Sequence, residues 1–571
     1  MDRNLILAIV LSVVIIIGFQ YFFQSFSPPP QKHPMKKTEE VTQSQTPETP
    51  IAQKKPELAQ QKPKETSSLA TAVKPLQPQT PEHEQPRVVK VSSPLYEAMV
   101  SSKGGQIISF KLKKYTVQLD GPDLVNLFKP GGSDTSGPSI VLTTREDTFT
   151  DSSLYYKLDD AEAHKTLGPE NPHCTINMTA TTADGLTIHR KFTFNKDTYL
   201  VDFSYTLSST ASEHKNYLVS LPWKKVYKGE GQDRFAWNSV EILLNNELRD
   251  YYFKDIKGDE EPSGQIRWVG LGDVYFLKAL VFNTHPANKV TLVKPSNNGV
   301  AEVLVRYGAV DVPSGSSTET RLGIYLGPKQ AGALAKAGSD LSRALFYSNY
   351  KVLDIMSEYL MAFLRFCNSG FSIGGIKIPG TNNYGIDIIL LTVLIKILFI
   401  PLTHKSMKSM KRMQELQPQI AKLKEKYKDD KAALNKATME LFRDQKVNPL
   451  GSCWPMFLQI PVFIALYQAL SYAIELRHAP FVCLPSIYLC INDLSAPDPY
   501  YVTPIIMGGT MVLQQWMTPS AGDPMQKKMM LLMPVIFTYM FLSFPSGLVL
   551  YWLVSNVLSI GQQLVTNKMS S

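Results

Sequence analysis

The stretch MMLLMPVIFTYMFLSFPSGLVLYWLVSNVLSIGQQLVTN, residues 529–567, contains no charged residue. At about 1.5 Å of rise per residue, a helix of this length would extend roughly 58 Å, enough to cross a hydrocarbon core of about 30 Å twice. Pro545, Ser546 and Gly547 near its middle favour a turn. We therefore predict a membrane hairpin with spans over residues 529–544 and 548–565.

Four further apolar runs are long enough to be spans, at residues 5–23, 384–403, 450–474 and 501–518. Together they predict an N-terminal transmembrane anchor within residues 1–26 and a C-terminal five-helix transmembrane bundle within residues 384–567, followed by a short tail, 568–571. The first run could instead be a cleaved signal peptide. It is long for that role, and no small-residue cleavage motif follows it.

The distribution of charge predicts the orientation of these spans. Arg3 precedes the first run and no comparable cluster follows it, which places the N-terminus in the cytoplasm. The loop over residues 404–448 is rich in Lys and Arg and is predicted to be cytoplasmic, whereas residues 475–499 are more acidic and external. The tail is then cytoplasmic as well. The net charge of +9 fits such basic loops, and also an anionic membrane surface or an RNA-rich partner.

Between the first and second spans lies a long exported segment. Residues 27–88 are rich in Pro, Gln, Lys, Thr and Glu, which predicts a disordered linker. Residues 89–340 then alternate between apolar and polar side chains, which is typical of half-buried strands and predicts a β-sandwich. The alternating apolar positions include Ile108, Phe110, Leu112, Val201, Phe203, Tyr205 and Leu207.

A β-sandwich could bind or cleave carbohydrate, so paired carboxylates are relevant. The best cluster is Asp259, Glu260 and Glu261, in a loop bounded by Gly, Pro and Ser, which favours a solvated charge run over a catalytic pair. The five cysteines lack CxxC spacing and paired histidines. We therefore expect no catalytic residues, no metal, no cofactor and no enzymatic activity.

Residues 341–383 predict an amphipathic helix and a connector. Within residues 347–366, Leu353, Met356 and Leu360 recur at helical spacing among charged residues. This helix would lie at the outer membrane surface, or alternatively pack on the β-sandwich. In residues 404–448, two apolar stripes separated by Asp429 and Asp430 predict an antiparallel cytoplasmic helical hairpin.

Lys396 lies well inside the second span. Insertion scales assign a lysine at mid-helix a cost of about 2.5–3.5 kcal/mol, so such a residue usually faces a protein interior or a watery cavity. Thr392 lies one turn earlier, and Gln459 and Asn556 contribute polar groups from other spans. They could line a cavity around the lysine, or each could join helices while Lys396 extends to the cytoplasmic surface. We expect no second buried charge, which disfavours a transporter.

Several segments resemble the YidC membrane protein insertases: PLTHKSMKSMKRMQELQPQI (401–420), KVNPLGSCWPMFLQIPVFIALY (446–467), DLSAPDPYY (493–501) and DPMQKKMMLLMPVIFTYMFLSFPSGLVLYWLVSN (523–556). GGQIISFKLKKY, residues 104–115, resembles the Gram-negative members, which have a large periplasmic domain. The resemblance implies a multi-pass protein of the bacterial cell inner membrane.

It further implies a membrane protein insertase and chaperone that receives nascent membrane proteins in a positively charged intramembrane groove. The clients are released into the lipid bilayer, alone or with the Sec translocon, and no covalent chemistry is involved. The expected partners are nascent membrane proteins, the Sec translocon, membrane lipids and the ribosome, but not DNA. The residues that match groove positions are Lys396, Thr392, Gln459, Tyr551, Trp552 and Asn556.

The chain departs from the family pattern in four places. Lys396 replaces the usual Arg, and Trp552 stands where a second Tyr is common. The external sequence CLPSIYLC looks inserted, and Cys483 and Cys490 at its ends could form a disulfide outside the cytoplasm. The tail lacks a basic extension. The ribosome would then bind the basic hairpin through electrostatic contacts, with these candidate residues: Lys422, Lys424, Lys426 and Lys428.

Overall fold

The computed structural model describes residues 74–78, 85–128, 137–159, 162–209, 215–226, 239–282, 287–293, 300–313, 315–348, 350–373, 376–427, 430–445, 447, 454–484, 489–517 and 524–569. The predicted anchor and most of the predicted linker lie outside these residues.

The first half of the described chain is built from β-strands. In chain order they are β1 (Lys74–Pro75), β2 (Val88–Ser92), β3 (Tyr96–Ser101), β4 (Gln106–Thr116), β5 (Leu124–Asn126), β6 (Val141–Thr143), β7 (Thr148–Thr150), β8 (Lys157–Leu158), β9 (His164–Thr166), β10 (His173–Thr181), β11 (Leu186–Asn195), β12 (Leu200–Ser209), β13 (Lys215–Val226), β14 (Ser239–Leu244), β15 (Glu247–Tyr252), β16 (Ser263–Gly272), β17 (Phe276–Val281), β18 (Ala287–Val293), β19 (Val300–Val312) and β20 (Ser317–Pro328).

These strands form two sheets. The larger follows the order β1-β7-β6-β13-β19-β18-β16-β17-β20-β12-β11-β10-β8, with β14 paired to β16 and β15 paired to β14. The smaller follows the order β5-β4-β3-β2-β9. Buried side chains of both sheets belong to one hydrophobic core. Tyr96 of the small sheet stacks on Phe110 with 4.5 Å between ring centroids and meets Phe194 of the large sheet at 6.4 Å.

The alternation in the sequence correctly locates the strands. In β12, Val201, Phe203, Tyr205 and Leu207 are buried while the residues between them are not, because successive side chains in a strand point to opposite faces. Ile108 is an exception. Met99 pairs with Ser109 but Val100 pairs with Ile107, so Ile108 is the extra residue of a β-bulge and only half-buried.

A buried polar cluster joins the two sheets. Arg190 of β11 is fully buried, forms an ion pair with Asp151, and donates from Nη1 to the Gly105 carbonyl at 2.9 Å. The Tyr156 hydroxyl donates to Asp151 Oδ2 at 2.7 Å and accepts from Arg190 Nε at 3.2 Å. Gly105 has φ +55°, and a Cβ there would come within 2.8 Å of Arg190 Cδ, so the arginine needs glycine at this position.

The described part of the predicted linker differs from the expectation. Lys74 and Pro75 form β1, which pairs in parallel with Phe149 and Thr150 of β7. Leu76 is buried in the core of the β-domain. The chain therefore attaches to the sheet before residue 88, because this short segment offers one apolar side chain that the core can bury.

The second half of the described chain is mainly helical. Its helices are α1 (Ala331–Ala337), α2 (Lys351–Ser369), α3 (Tyr384–Glu415), α4 (Gln417–Lys426), α5 (Lys431–Asp444), α6 (Trp454–Tyr472), α7 (Val502–Met517), α8 (Pro524–Phe541) and α9 (Ser546–Met569). Two small hairpins accompany them, β21 (Gly370–Ile373) with β22 (Ile376–Pro379), and β23 (Val482–Leu484) with β24 (Leu489–Ile491).

The helical hairpin predicted for residues 404–448 is divided differently from the prediction. Helix α3 continues without a break through residue 403 to Glu415, so the first arm of the hairpin begins as an extension of the helix that contains the predicted second span. The break comes at Leu416, just before Pro418 in the first turn of α4. A proline further inside a helix would lose a hydrogen bond and clash with the preceding turn. Leu416, Ile420 and Val447 then form a small hydrophobic cluster within the hairpin.

The turn between the last two helices lies earlier than predicted. Helix α9 already includes Ser546 and Gly547, and the Pro545 carbonyl accepts the Val549 amide at 3.2 Å. Proline fits at a helix start because its missing amide proton would have no intrahelical acceptor there. The Ser546 hydroxyl donates to the Asp493 carbonyl at 2.7 Å and thereby joins the turn to the loop between α6 and α7.

The amphipathic helix α2 packs on the helical bundle. Met361 and Leu364 are buried in the same cluster as residues of α3 and α6, and the Ser357 hydroxyl donates to the Ala465 carbonyl of α6 at 2.9 Å. On the other side of the helix, Val352 is 70% exposed and Tyr359 is 74% exposed. These contacts do not fit the alternative prediction of a helix packed chiefly on the β-domain.

A β-rich domain followed by a helical region with apolar helices was predicted, and this is confirmed. Within the described residues, two helices are long and apolar enough to cross a membrane, Tyr384–Glu415 and Ser546–Thr566. The apolar parts of α6 and α8, Leu458–Tyr472 and Leu531–Phe541, are shorter. The count of six spans remains a prediction.

Candidate functional site

Lys396 is held between α3 and α9, the two described helices that are long and apolar enough to cross a membrane. Measured along the axis of α3, Lys396 lies about 18 Å from Tyr384, the first residue of the helix, at a rise of about 1.5 Å per residue. The ammonium Nζ donates to the Ser559 hydroxyl of α9 at 2.6 Å, and that hydroxyl donates to the Ser555 carbonyl at 2.9 Å. In the described part of the chain, no carboxylate lies within ion-pair distance of Lys396. Its charge is therefore held by a neutral partner and is not cancelled.

Thr392 lies one turn before Lys396 and is completely buried. Its hydroxyl donates to the Ile388 carbonyl of the same helix at 2.6 Å. This is the common local bond of a threonine inside a helix. Thr392 therefore packs within the bundle, and its only hydroxyl proton is already engaged.

Gln459 and Tyr551 join α6 to α9. The Gln459 amide Nε2 donates to the Tyr551 hydroxyl, and the tyrosine side chain is almost completely buried. The next residue, Trp552, belongs to an aromatic cluster. Its ring meets Phe463 edge-on at 5.0 Å and Phe541 at 5.3 Å between centroids. Trp552 thus packs α9 against α6 and α8, and the large rings favour such a contact.

Asn556 turns toward a different neighbour. Its amide Nδ2 donates to the Thr510 hydroxyl of α7 at 3.2 Å. The hydrogen bonds of the predicted groove residues therefore divide over three separate contacts, in which α9 meets α3 through Lys396, α6 through Gln459 and α7 through Asn556. Helix α9 is the element common to all three.

Part of the polar surface of α9 was not among the predicted groove residues. Ser559 contacts Lys396 directly, and Gln562 donates from Nε2 to the Thr403 hydroxyl of α3 at 2.8 Å. Tyr551, Ser555, Ser559 and Gln562 follow one another at intervals of four, four and three residues, so they share one helix face. This spacing was visible in the sequence and marks the α9 face next to α3 and α6.

The expectation of a single buried charge was wrong. Asp387, in the first turn of α3, is completely buried. Asn368 Nδ2 donates to its Oδ2 at 2.9 Å, and the Thr381 hydroxyl donates to its Oδ1 at 2.6 Å. An acidic group in the first turn of a helix is favoured by the helix dipole. Asp387 therefore fastens the end of α2 and the connector to the start of α3.

The carboxylates of the β-domain loop lie at the surface. Glu261 pairs with Lys289 at 2.5 Å and lies 3.7 Å from Arg306. The hydrogen bond from Lys289 holds the pKa of Glu261 below its usual value, whereas a general acid needs a raised pKa. This environment supports the interpretation of a solvated charge run.

The basic face of the helical hairpin is accessible. Lys422, Lys424 and Lys426 are exposed along α4, and the Lys426 ammonium lies 5.3 Å from the ring centroid of Tyr427. Lys428, the fourth predicted ribosome contact, lies outside the described residues.

We expect Cys483 and Cys490 to form a disulfide. The backbone places them directly opposite each other in the antiparallel pair β23–β24, and Cα atoms of directly opposed residues lie about 4.5–5.5 Å apart, within the range of about 4.4–6.8 Å that a disulfide requires. Mass spectrometry of non-reduced, alkylated protein should show the pair unlabelled, with both thiols labelled after reduction. Labelling of both cysteines before reduction would contradict the pairing.

Comparison with known proteins covers both halves of the chain. Residues 88–361 match the family described as YidC periplasmic domain, and residues 377–571 match the family described as 60Kd inner membrane protein. A protein named membrane protein insertase YidC from a Geobacter species is 38% identical over 482 residues, which cover 84% of this chain and 85% of that protein.

A protein of the same name from Geotalea daltonii is 35% identical over 573 residues, covering 100% of this chain and 99% of that protein. The crystal structure of an active YidC insertase with its first transmembrane domain resolved aligns over 87% of this chain and 95% of that chain, at 19% identity and a TM-score of 0.36. The identity over the full length and the two family matches show that the chain belongs to the family of YidC membrane protein insertases.

Proposed function

We propose that this chain is an insertase and chaperone that receives nascent membrane proteins in an intramembrane groove around Lys396 and releases them into the bilayer, alone or with the Sec translocon. The observation that carries the proposal is the Lys396 ammonium, held 2.6 Å from the Ser559 hydroxyl between α3 and α9. The full-length relatives named as insertases support the same conclusion.

The proposed topology is an N-terminal anchor, a periplasmic β-sandwich and five spans formed by α3, α6, α7, α8 and α9, with both termini cytoplasmic. In this arrangement α3 enters the membrane at its outer surface and continues into the cytoplasmic hairpin. Lys396 then lies in the inner half of the bilayer, from which a groove would open toward the cytoplasm.

The uncancelled charge suits the entry of an acidic segment. Two opposite unit charges 4 Å apart attract by about 4 kcal/mol at an effective dielectric constant near 20. This attraction offsets part of the cost of bringing a carboxylate out of water. Because Ser559 is neutral, the lysine can exchange this partner for a client carboxylate without separating an ion pair.

The apolar part of a client needs a different surface. Leu458 and Ile460 of α6 and Val535 and Tyr539 of α8 are exposed in the structure. In a bilayer these side chains would face lipid and offer a sliding surface for an entering apolar segment. The clients would therefore contact the polar groove and these two helix faces together.

The function is tested by reconstitution. The full chain in proteoliposomes should insert a single-span client with a short acidic tail, measured as tail fragments protected from protease. Matched liposomes without the protein serve as the control. Equal protection in both preparations would overturn the proposed function.

We further expect the hairpin to bind ribosomes through charge. Replacing Lys422, Lys424 and Lys426 together by Gln should lower co-sedimentation with ribosomes several-fold at low salt, because exposed charges attract RNA in a salt-dependent way. Adding Lys428→Gln completes the predicted set. A variant that neutralises Lys103, Lys157 and Lys191 of the β-domain removes the same charge elsewhere and should bind normally. Unchanged co-sedimentation of the hairpin variant would point to another surface.

A further inference from the structure

A cavity of about 580 Å³ lies between the β-domain and the external side of the helical bundle. One wall is the end of β4 and the residues after it, including Lys114 and Asp120. The other is the segment that follows α6, including Glu475, Arg477 and His478. The groove residues around Lys396 do not line it.

The two walls are fixed to each other. Arg477 donates from Nη2 to the carbonyls of Thr116 and Val117, at 2.9 Å and 3.0 Å. Its guanidinium also lies 5.7 Å and 5.9 Å from the ring centroids of Tyr275 and Phe276. A planar guanidinium suits this combination of carbonyl and aromatic contacts. The cavity is therefore a formed feature of the junction between the two domains.

Glu475 is a buried carboxylate with unused hydrogen-bonding capacity. Its side chain is 5% exposed, and Arg365 Nε lies 3.2 Å from Oε1. Neither carboxylate oxygen accepts a well-aligned hydrogen bond from any residue that the structure describes. Burial raises the pKa of Glu475, and Arg365 opposes this shift. Both carboxylate oxygens are buried away from solvent, so the Glu475 carboxylate lies behind the cavity wall, next to Arg365, and does not itself touch a ligand in the cavity.

The walls carry charges of both signs. Lys114 and Arg477 are cations, whereas Asp120 and Glu475 are acids. A purely anionic ligand would meet the exposed Asp120 carboxylate, with Glu475 behind the wall, and a purely cationic one would meet the lysine and the arginine. A zwitterion that places its negative group near Lys114 and Arg477 and its ammonium near the acids satisfies both sets.

The depth of the cavity indicates where such a ligand comes from. Its bundle wall begins at Ile474, just after α6 ends at Tyr472. The adjoining helix α2 exposes Val352 and Tyr359 on an apolar face that suits the membrane boundary. The cavity therefore lies at the level of the outer-leaflet headgroups in the proposed orientation.

We propose that this cavity binds the headgroup of a phospholipid that carries a primary ammonium, with its phosphate at Lys114 and Arg477 and its ammonium at Asp120. The proposal rests on the external placement of this junction and not on insertase activity, so insertion assays and lipid-binding assays can fail independently.

The test is lipid retention by the full chain, purified in detergent and equilibrated with short-chain phosphatidylethanolamine, phosphatidylcholine or phosphatidylglycerol. Native mass spectrometry would count the bound lipids. Phosphatidylethanolamine should be retained at least about fivefold better than the other two. The quaternary ammonium of phosphatidylcholine has no N–H to donate, and phosphatidylglycerol has no cation. Equal retention of the three lipids by the parent protein would overturn the proposal.

Two substitutions locate the site. Lys114→Gln and Asp120→Asn should each lower phosphatidylethanolamine retention by about fivefold. Lys113→Gln is the matched control, because the adjacent Lys113 donates to Ser92 at 2.8 Å and does not line the cavity. Unaltered retention in both cavity variants, with thermal unfolding like the parent, would place the lipid elsewhere. Displacement of the lipid by equimolar inorganic phosphate would make free phosphate the ligand and would also contradict the proposal.

Discussion

Replacing Lys396 with Glu should reduce the insertion of clients with acidic exported tails at least about tenfold, which corresponds to about 1.4 kcal/mol. The substitution reverses the sign of a charge that the structure holds on a neutral hydroxyl. A carboxylate there would repel the client tail in a partly desolvated site, where unit charges 4 Å apart interact by about 4 kcal/mol at an effective dielectric constant near 20. Lys396→Arg keeps the charge and should retain most insertion.

The measurement compares pairs of clients that differ only in tail charge. Protease protection is followed in cells that carry each variant at matched protein levels. Clients with uncharged tails should be much less affected by Lys396→Glu. If Lys396→Glu inserted acidic-tailed clients as well as the parent does, the electrostatic groove would be wrong, and Lys396 would be a lysine that reaches the cytoplasmic surface.

Arg190→Met should lower the free energy of unfolding of the β-domain by about 3–5 kcal/mol, because removing one member of a buried ion pair leaves the other charge uncompensated. Asp151 would keep its bonds from Tyr156 and from the Ile140 amide at 2.9 Å, but it would lose its only ion-pair partner among the described residues. The Gly105 carbonyl would lose a donor as well.

The control for this prediction is Arg321→Met in the same domain. Arg321 is 71% exposed and pairs with Glu319 at 2.8 Å on the surface, where ion pairs contribute little to stability. Pulse proteolysis of the full chain across a urea series, read from β-domain fragments, measures both variants. Equal urea midpoints for Arg190→Met and the parent would show that the buried cluster around Arg190 does not stabilise the contact between the two sheets.

The strands and Lys396 were predictable for simple physical reasons. Alternating side chains must separate a buried face from an exposed one, so β12 could be read directly from Val201 to Leu207. Burying a lysine in an apolar span costs free energy unless polar groups surround it. Lys396 could therefore be identified as a candidate site residue before its partner was known.

The partners of these residues were harder to predict. A serine or threonine inside a helix commonly donates its hydroxyl to a backbone carbonyl of the preceding turn, as Thr392 does. Ser559 does the same and also accepts a hydrogen bond from Lys396. The sequence alone did not distinguish the two residues. Family resemblance matched Asn556 to the groove, but its hydrogen bond goes to Thr510 on α7. Which neighbour a helix face meets depends on the packing of the whole bundle.

Other differences between prediction and structure trace to single residues in the sequence. Pro418 predicts the helix break at Leu416, and Pro545 predicts the start of α9. In the sequence, Asp387 resembles a polar residue at the exposed end of a span. Only the structure shows that it is buried and accepts hydrogen bonds from Asn368 and Thr381.

The most direct test of the groove is site-specific photo-crosslinking during insertion. A photoreactive residue at Gln459, which donates to Tyr551 beside the polar face of α9, should form adducts with a client arrested during insertion. The same residue at Trp516, which is 82% exposed on α7, serves as the lipid-facing control and should form few. Strong adducts at position 459 that disappear once the client is released would agree with the proposed groove, whereas a client that inserts while it crosslinks only at position 516 would contradict it.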